Sequence, residues 1–207
     1  MSLKPTPRYT RLTSDQRRAG LIAAGLACMA RGGIQAFTVD KICHEAGVSR
    51  GLITHHFGSM NGLLAAVYGQ MYEATTPNPD DLGSPDDPEP SRRISGLIDF
   101  FFSPGVFNRQ ALNIWLTLWG QISNNPELRA EHRRQYAAYH AMVTTALADL
   151  ARHRGRDLNA GQLAATLICL VDGMGLQHCI DPETMPAATA RHSCRDLLAL
   201  SLGPIPD

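Results

Sequence analysis

Residues Phe37–Phe57 read F-T-V-D-K-I-C-H-E-A-G-V-S-R-G-L-I-T-H-H-F, a stretch that predicts two short helices held at an angle by a tight turn. Thr38 is placed as the first N-cap, where its hydroxyl accepts an orphan backbone N–H of the opening turn. Val39, Ile42, Cys43 and Ala46 recur at helical spacing and give that helix one apolar face. Gly47 ends it, because glycine takes the left-handed C′ conformation without a steric penalty. Val48 plugs the angle, and Ser49 stands where a cap for the second helix belongs. That helix runs over Arg50–His56, with Leu52, Ile53 and Phe57 as anchors. Its other side chains, Arg50, Gly51, Thr54, His55 and His56, are small or hydrogen-bonding, which suits a helix read into a DNA major groove. An αα-hairpin with a solvated polar face has the same spacing, so the stretch alone leaves both readings open.

Working outward, the charge distribution separates them. The chain of 207 residues has a formal net charge of zero, so total charge does not announce a nucleic-acid binder. Met1–Tyr72, however, carries eight bases (Lys4, Arg8, Arg11, Arg17, Arg18, Arg31, Lys41 and Arg50) against Asp15, Asp40 and Glu45. Glu73–Pro90 then holds six acids and no base. A basic first third on a neutral remainder fits a DNA-binding head attached to a separate body. Leu and Ala dominate, several windows show the 3.6-residue apolar period, and no stretch alternates as a strand, so the fold class is all-α. The Met-Ser-Leu-Lys-Pro-Thr-Pro start lacks an apolar h-region, which predicts no signal peptide. The longest apolar run, Leu163–Val171, is short of the ~20 residues of a membrane span. Five cysteines without framework spacing point to a reduced, cytoplasmic setting.

In chain order, Arg8 and Arg11 lie in a Pro-containing start that reads as a basic arm or as a frayed terminus. Ser14 opens the first helix and Gly32-Gly33 ends it. Ser59 caps a connector helix bearing Leu63, Leu64, Val67, Tyr68 and Met71, whose first N–H groups are placed to grip a phosphate. Residues 75–90 are an acidic, Pro-rich loop. Ser91 caps a helix through Phe102, and further helices cover Asn108–Ser123, Pro126–Arg154, Asn159–Cys179 and Pro186–Leu202. About nine helices result. They divide into a head at 8–74 with its connector and a body at 75–207.

T-V-D-K-I-C-H-E-A-G-V-S-R-G-L-I, followed by H-F-G-S and G-L-L, resembles the helix-turn-helix signature of the TetR family of transcriptional regulators. I-T-H-H-F-G-S-M-N-G-L-L-A-A-V, W-L-T-L-W-G-Q-I-S-N-N-P-E-L and L-V-D-G-M-G-L are similar to the choline-responsive repressors of the betaine pathway, the BetI branch. The resemblance implies a repressor that forms a homodimer through its last two helices. It further implies heads in successive major grooves of a palindromic operator, about one helical turn (~34–36 Å) apart, with release by a small-molecule inducer. Leu163, Leu167, Leu170, Met174, Leu197, Leu198 and Leu200 fit that dimer interface and fit intramolecular core equally well. Thr54 stands where most of the family has Tyr, in keeping with the branch. Met60 replaces a family lysine, which removes a phosphate contact. Gly175 stands where branch members carry Trp, which opens space.

Thr38, Lys41, Ser49, Arg50, Gly51, Thr54, His55, His56 and Ser59 are the DNA-contact set. Lys41 and Arg50 suit phosphates, and Thr54 and His55 suit base edges. Trp115 and Trp119 share a helix face, and with Phe102, Tyr136 and Tyr139 they can line a cage for a quaternary ammonium cation, drawn to aromatic faces by roughly 0.5–2 kcal/mol each. A Trp pair at this spacing is also ordinary core. No cofactor is indicated, and no pair among Cys43, His44, His178, Cys179, His192 and Cys194 has structural-zinc spacing, so no metal is expected. Nucleophile elbow, Walker loop, H-E-x-x-H and dinucleotide turn are all missing, which argues against an enzyme. The alternatives are a TetR-type regulator of an unrelated ligand and a helical interaction protein without DNA binding.

Overall fold

The computed structural model describes residues 12–78, 82 and 89–206. Arg8, Arg11 and most of the acidic loop lie outside them. Among the described residues there are nine α-helices and no strand.

Helix α1 (Ser14–Ala36) is capped one residue earlier than expected. Thr13, rather than Ser14, accepts the Gln16 N–H at 3.2 Å, and the Gln16 side chain accepts the Thr13 N–H at 2.9 Å. This reciprocal pair is a capping box, and it satisfies two orphan donors where Ser14 alone would satisfy one. The glycine pair interrupts α1 without quite ending it: Gly33 sits at φ 59°, and one more turn reaches Ala36. Helix α2 (Val39–Ala46) is capped by Thr38 and closed by Gly47 at φ 64°. Helix α3 (Gly51–Phe57) departs from expectation at its start, where Arg50 is the N-cap residue and no side chain caps. The Leu52 and Ile53 N–H groups are already bonded to the carbonyls of Ser49 and Arg50 at 3.1 and 3.3 Å. That tight first turn leaves the Ser49 hydroxyl no orphan donor to accept.

Helix α4 (Met60–Thr75) is the connector, capped by Ser59. Helix α5 (Ser91–Phe101) has Pro90 at its N-cap, and Ser91 donates to Glu89 at 3.0 Å instead of capping. Helices α6 (Arg109–Ile122), α7 (Pro126–His153) and α8 (Ala160–Ile180) start at Asn108, Asn125 and Asn159, each accepting an N–H two or three residues into its helix. Helix α9 (Ala187–Leu202) completes the bundle.

Two apolar cores follow from the helix faces. One joins Leu21, Ile42, Ile53, Leu63, Val67 and Tyr68 of the first four helices to Trp115, Leu118 and Leu128 of α6 and α7. The other joins Ile94, Leu97 and Ile98 of α5 to Val143, Leu147, Leu150, Leu167, Leu198 and Leu202. Each fully buried Leu or Ile contributes about 1.5–3 kcal/mol, so Leu118 of α6 and Leu128 at the start of α7 anchor those helices to the head, while Leu112 of α6 packs on the body core. Helices α1 and α8 are long and apolar enough to cross a membrane by length and composition, which the run-length reading of the sequence did not anticipate. Their apolar faces pack instead on α2, α4 and α6, and on α6, α7 and α9.

Candidate functional site

The head presents one polar face. Thr38 and Lys41 of the α2 turn are exposed, and so are Ser49, Arg50, Gly51, Thr54 and His55 around α3. Ile53 is buried beneath them and fixes α3 to the core. Arg50 pairs with Asp40 at 2.6 Å, both side chains being largely exposed. Surface pairs of this kind contribute about 0–1 kcal/mol, so the guanidinium is readily exchanged to a phosphate. His56 is only half-exposed, packs edge-on to His55 at 4.9 Å, and has its Nε2 buried without a hydrogen-bond partner. Ser59 differs from the rest. Its hydroxyl accepts the Gly62 N–H at 2.9 Å and donates to Glu127 of α7 at 3.3 Å, so it is committed within the protein. Met60 lines a groove between α1, the start of α2, α4 and α6, which Thr38 also lines.

Sequence reading missed Arg17. The start of α1 runs beside α3, so Arg17 lines one groove with Leu52, His55 and His56, and Arg18 sits over the Phe57 ring at 5.1 Å. The net basic charge of residues 1–72 held the hint, without saying which bases share a face with α3.

The body holds a cavity of about 120 Å³ between α4, α6, α7 and α8, on the scale of engineered cavities that take up benzene (~150 Å³). Trp115 and Trp119 line it, with Tyr136 and Tyr139 of α7. The two indoles stack at 5.6 Å with an interplanar angle of 26°. Phe102 does not line it and needs correction: it is buried against Phe107 at 5.0 Å, and Phe101 lines the cavity in its place. Adjacent helical residues point about 100° apart, so a one-residue error of phase exchanges wall for core. Tyr72, Thr75, Thr76, Phe107, His132 and Asp172 complete the polar and aromatic lining. The space expected at Gly175 is filled, since a Cβ there would lie 3.0 Å from Leu112 and 3.9 Å from Phe107.

Asp172 gives the cavity its charge. Asp172 as a whole is an exposed residue, yet the protein around its carboxyl desolvates it and raises its pKa from 3.8 to about 6. At neutral pH it is ionised in a setting that disfavours the charge. Burial pushes the Tyr72 phenol up to about 12 and Tyr139 well above its ordinary value, so both are neutral. Burial also lowers His132 below 6.5. Among the described residues, no Lys or Arg lines the cavity. The result is an aromatic box with one negative charge.

An all-α chain with a polar helix-turn-helix face and a small-molecule cavity in its body is built as a one-component transcriptional regulator. The chain belongs to the TetR family, among its BetI-type transcriptional repressors. Residues 90–203 match the family described as BetI-type transcriptional repressor, C-terminal, and residues 21–67 match the bacterial regulatory proteins of the tetR family. It is 29% identical to the HTH-type transcriptional regulator BetI of Proteus mirabilis, covering 90% of this chain and 92% of that one. The BetI of Ectopseudomonas mendocina is also 29% identical, covering 90% and 93%. A crystal structure from Pseudomonas aeruginosa PAO1 superposes with TM-score 0.75 at 32% identity, covering 95% of this chain and 96% of that chain. A regulator from Saccharomonospora viridis, solved in complex with choline, superposes with TM-score 0.73 at 20% identity over 89% and 96%.

Proposed function

We propose that this repressor binds a palindromic operator in the cytoplasm as a homodimer and releases it when a choline-like quaternary ammonium compound enters the body cavity. In this reading residues 8–74 are the DNA-binding unit and residues 75–207 the ligand-binding and dimerising unit. The cavity carries the ligand assignment. Aromatic faces attract a quaternary ammonium, which has no N–H to donate and is therefore poorly served by ordinary hydrogen-bonding sites. A single carboxylate supplies the counter-charge, and the absence of a basic lining residue turns away anionic ligands. The choline held by the Saccharomonospora viridis regulator is consistent with this chemistry.

In the head, Lys41 and Arg50 take phosphates and set register, while Thr54 and His55 reach base edges. Arg17 adds a third cation from α1. Dimerisation rests on what α8 and α9 leave uncovered. Leu167, Met174 and Leu198, read from the sequence as equally suited to interface or core, are buried in the subunit's own core. Leu200, from the same set, is 87 % exposed, and Leu176 and Ile180 are likewise exposed large apolar side chains on these helices. Thr166, Cys169, Gly173, Leu176 and Ile180 recur at alternating spacings of three and four along α8, the spacing of a helix-bundle seam.

Isothermal calorimetry with choline tests the ligand assignment. Wild type is expected to bind, and Trp115→Ala and Trp119→Ala each to lose about threefold to thirtyfold in affinity, the equivalent of roughly 0.5–2 kcal/mol per aromatic face. Unchanged affinity in both variants contradicts the aromatic box.

A further inference from the structure

Tyr68 stands apart among the aromatic residues around the cavity because it touches the lining without belonging to it. It lies on α4, is completely buried, and is not part of the cavity wall. Its hydroxyl is 2.7 Å from Nδ1 of His132 on α7, and His132 is part of that wall. Its ring meets Trp115 edge-on at 5.3 Å. Burial raises its pKa well above the ordinary phenol value, and the neighbouring Tyr72 and Trp119 also act on its acidity. A protonated phenol and an uncharged imidazole therefore share one hydrogen bond between the connector helix and the ligand site.

We infer that Tyr68 is the positioning residue through which cavity occupancy reaches the DNA-binding head, with its hydrogen bond to His132 as the two-state contact. The inference rests on the reading of the cavity as the inducer site. A buried hydrogen bond resists gradual stretching, because a donor or acceptor left unpaired away from water is costly. It is made or broken, and α4 has a preferred position in each case. A ligand that displaces His132 or the Trp115–Trp119 stack works against this bond. At the other end of α4 there is no slack to absorb a shift. A Cβ on Gly62 would collide with the Phe57 carbonyl of α3, so the start of α4 lies directly on the end of the recognition helix. Tyr72 also lies on α4 and faces the cavity directly, but it is half-exposed and near the last turn of the helix, at the end remote from α3. Tyr68 is the nearer of the two to α3 along the helix.

The effect is read as a coupling factor, the operator Kd at saturating choline divided by the operator Kd without it. Saturation removes any change in choline affinity from the ratio. Operator binding is followed by fluorescence anisotropy with DNA from upstream of the protein's own gene, and choline binding by the fluorescence of Trp115 and Trp119, the chain's two tryptophans. Wild type is expected to give a factor of about 10 or more, within the usual range of roughly 5–150. Tyr68→Phe keeps the ring, and is expected to bind choline and free operator within about threefold of wild type while its coupling factor falls below about 3. His132→Leu breaks the same bond from the other side and should lower the factor as far. The double variant should be no worse than either single one, the signature of one shared contact. If thermal melting shows Tyr68→Phe to be unfolded, His132→Leu decides alone. A wild-type factor in the folded variants overturns the inference while leaving the inducer site standing, as does loss of coupling in Tyr72→Phe but not in Tyr68→Phe. Absence of choline binding to wild type overturns the inducer reading and this inference with it.

Discussion

Asp172 carries a carboxylate in surroundings that raise its pKa to about 6 by desolvation, and an uncharged side chain would suit the fold better. The sign is the reverse of the usual acidic group. Its folded pKa lies above the unfolded value, so its contribution to stability is fully present below about 3.8 and is lost as the pH rises through about 6. Asp172→Asn should therefore raise Tm at pH 7.5. Accessible surface on the carboxyl screens part of the effect, and a gain of roughly 1–3 °C is expected. The same variant should lose at least about tenfold in choline affinity, because the box then lacks its counter-charge. Wild-type affinity for choline should itself fall by roughly tenfold between pH 7.5 and pH 5, one unit below the pKa. His132, its pKa lowered by burial, gains charge on the same acid side and works in the same direction. Calorimetry at the two pH values and differential scanning calorimetry check these outcomes. An Asp172→Asn variant that is less stable yet binds choline normally contradicts the role given to the carboxyl.

In the head, Arg50→Ala should weaken binding to all DNA sequences alike and flatten the salt dependence, by about one unit of slope per half-site. His55→Ala should change sequence preference instead. Anisotropy titrations against operator and scrambled DNA separate the two behaviours, and identical responses would refute the division between positioning and readout. Residues whose role depends only on local chemistry were legible in the sequence, as the caps Thr38, Gly47 and Ser59 illustrate. Asp172 and His132 were not. Their importance comes from which other helices face them, and a carboxylate within an apolar helix reads equally well as a packing residue. Phe102 was misplaced for a related reason, because it and Phe101 satisfy the same apolar period and only the helix's rotation in the bundle distinguishes them.

At the scale of elements, α3 and α4 act as a single piece. Gly58 turns at φ 72°, and Gly62 permits the first turn of α4 to rest on the last carbonyl of α3. Gly62→Ala forces backbone apart and is expected to destabilise the protein by roughly 1–3 kcal/mol, as overpacked sites do. It should also weaken operator binding, since the angle of the recognition helix opens. Urea unfolding and anisotropy measure the two effects. A loss of under about 0.5 kcal/mol would show that the contact is not tight. The sequence revealed the glycine without its reason, because the collision involves a backbone carbonyl and leaves no trace in side-chain pattern. Helix ends were legible at Thr38, Gly47 and Ser59, and were misjudged at Ser14, Ser49 and Ser91, where a neighbouring residue or the backbone had already satisfied the donors.

At the scale of the whole molecule, the fold class and the order of helices were legible from periodicity and breakers alone. The sharing of α6 between two cores was not, because apolar period shows that a face is buried and not against what. The proposed dimer would rest on α8 and α9, where Leu176, Ile180 and Leu200 are exposed. Leu176→Glu combined with Leu200→Glu should yield monomers in sedimentation velocity while helicity is kept. Operator affinity should fall by two orders of magnitude or more, since half-sites are then bound one at a time. A dimeric double variant would move the interface elsewhere.

The most direct test of the account joins both sites in one titration. Anisotropy of labelled upstream DNA is followed as protein is added at 50 and 200 mM salt, and then as choline is added to the complex. Saturable binding that weakens steeply with salt is expected, as phosphate contacts require, with release of the DNA as choline fills the cavity. Binding that is absent at low salt, or a complex that choline leaves intact while occupying the cavity, would contradict the account.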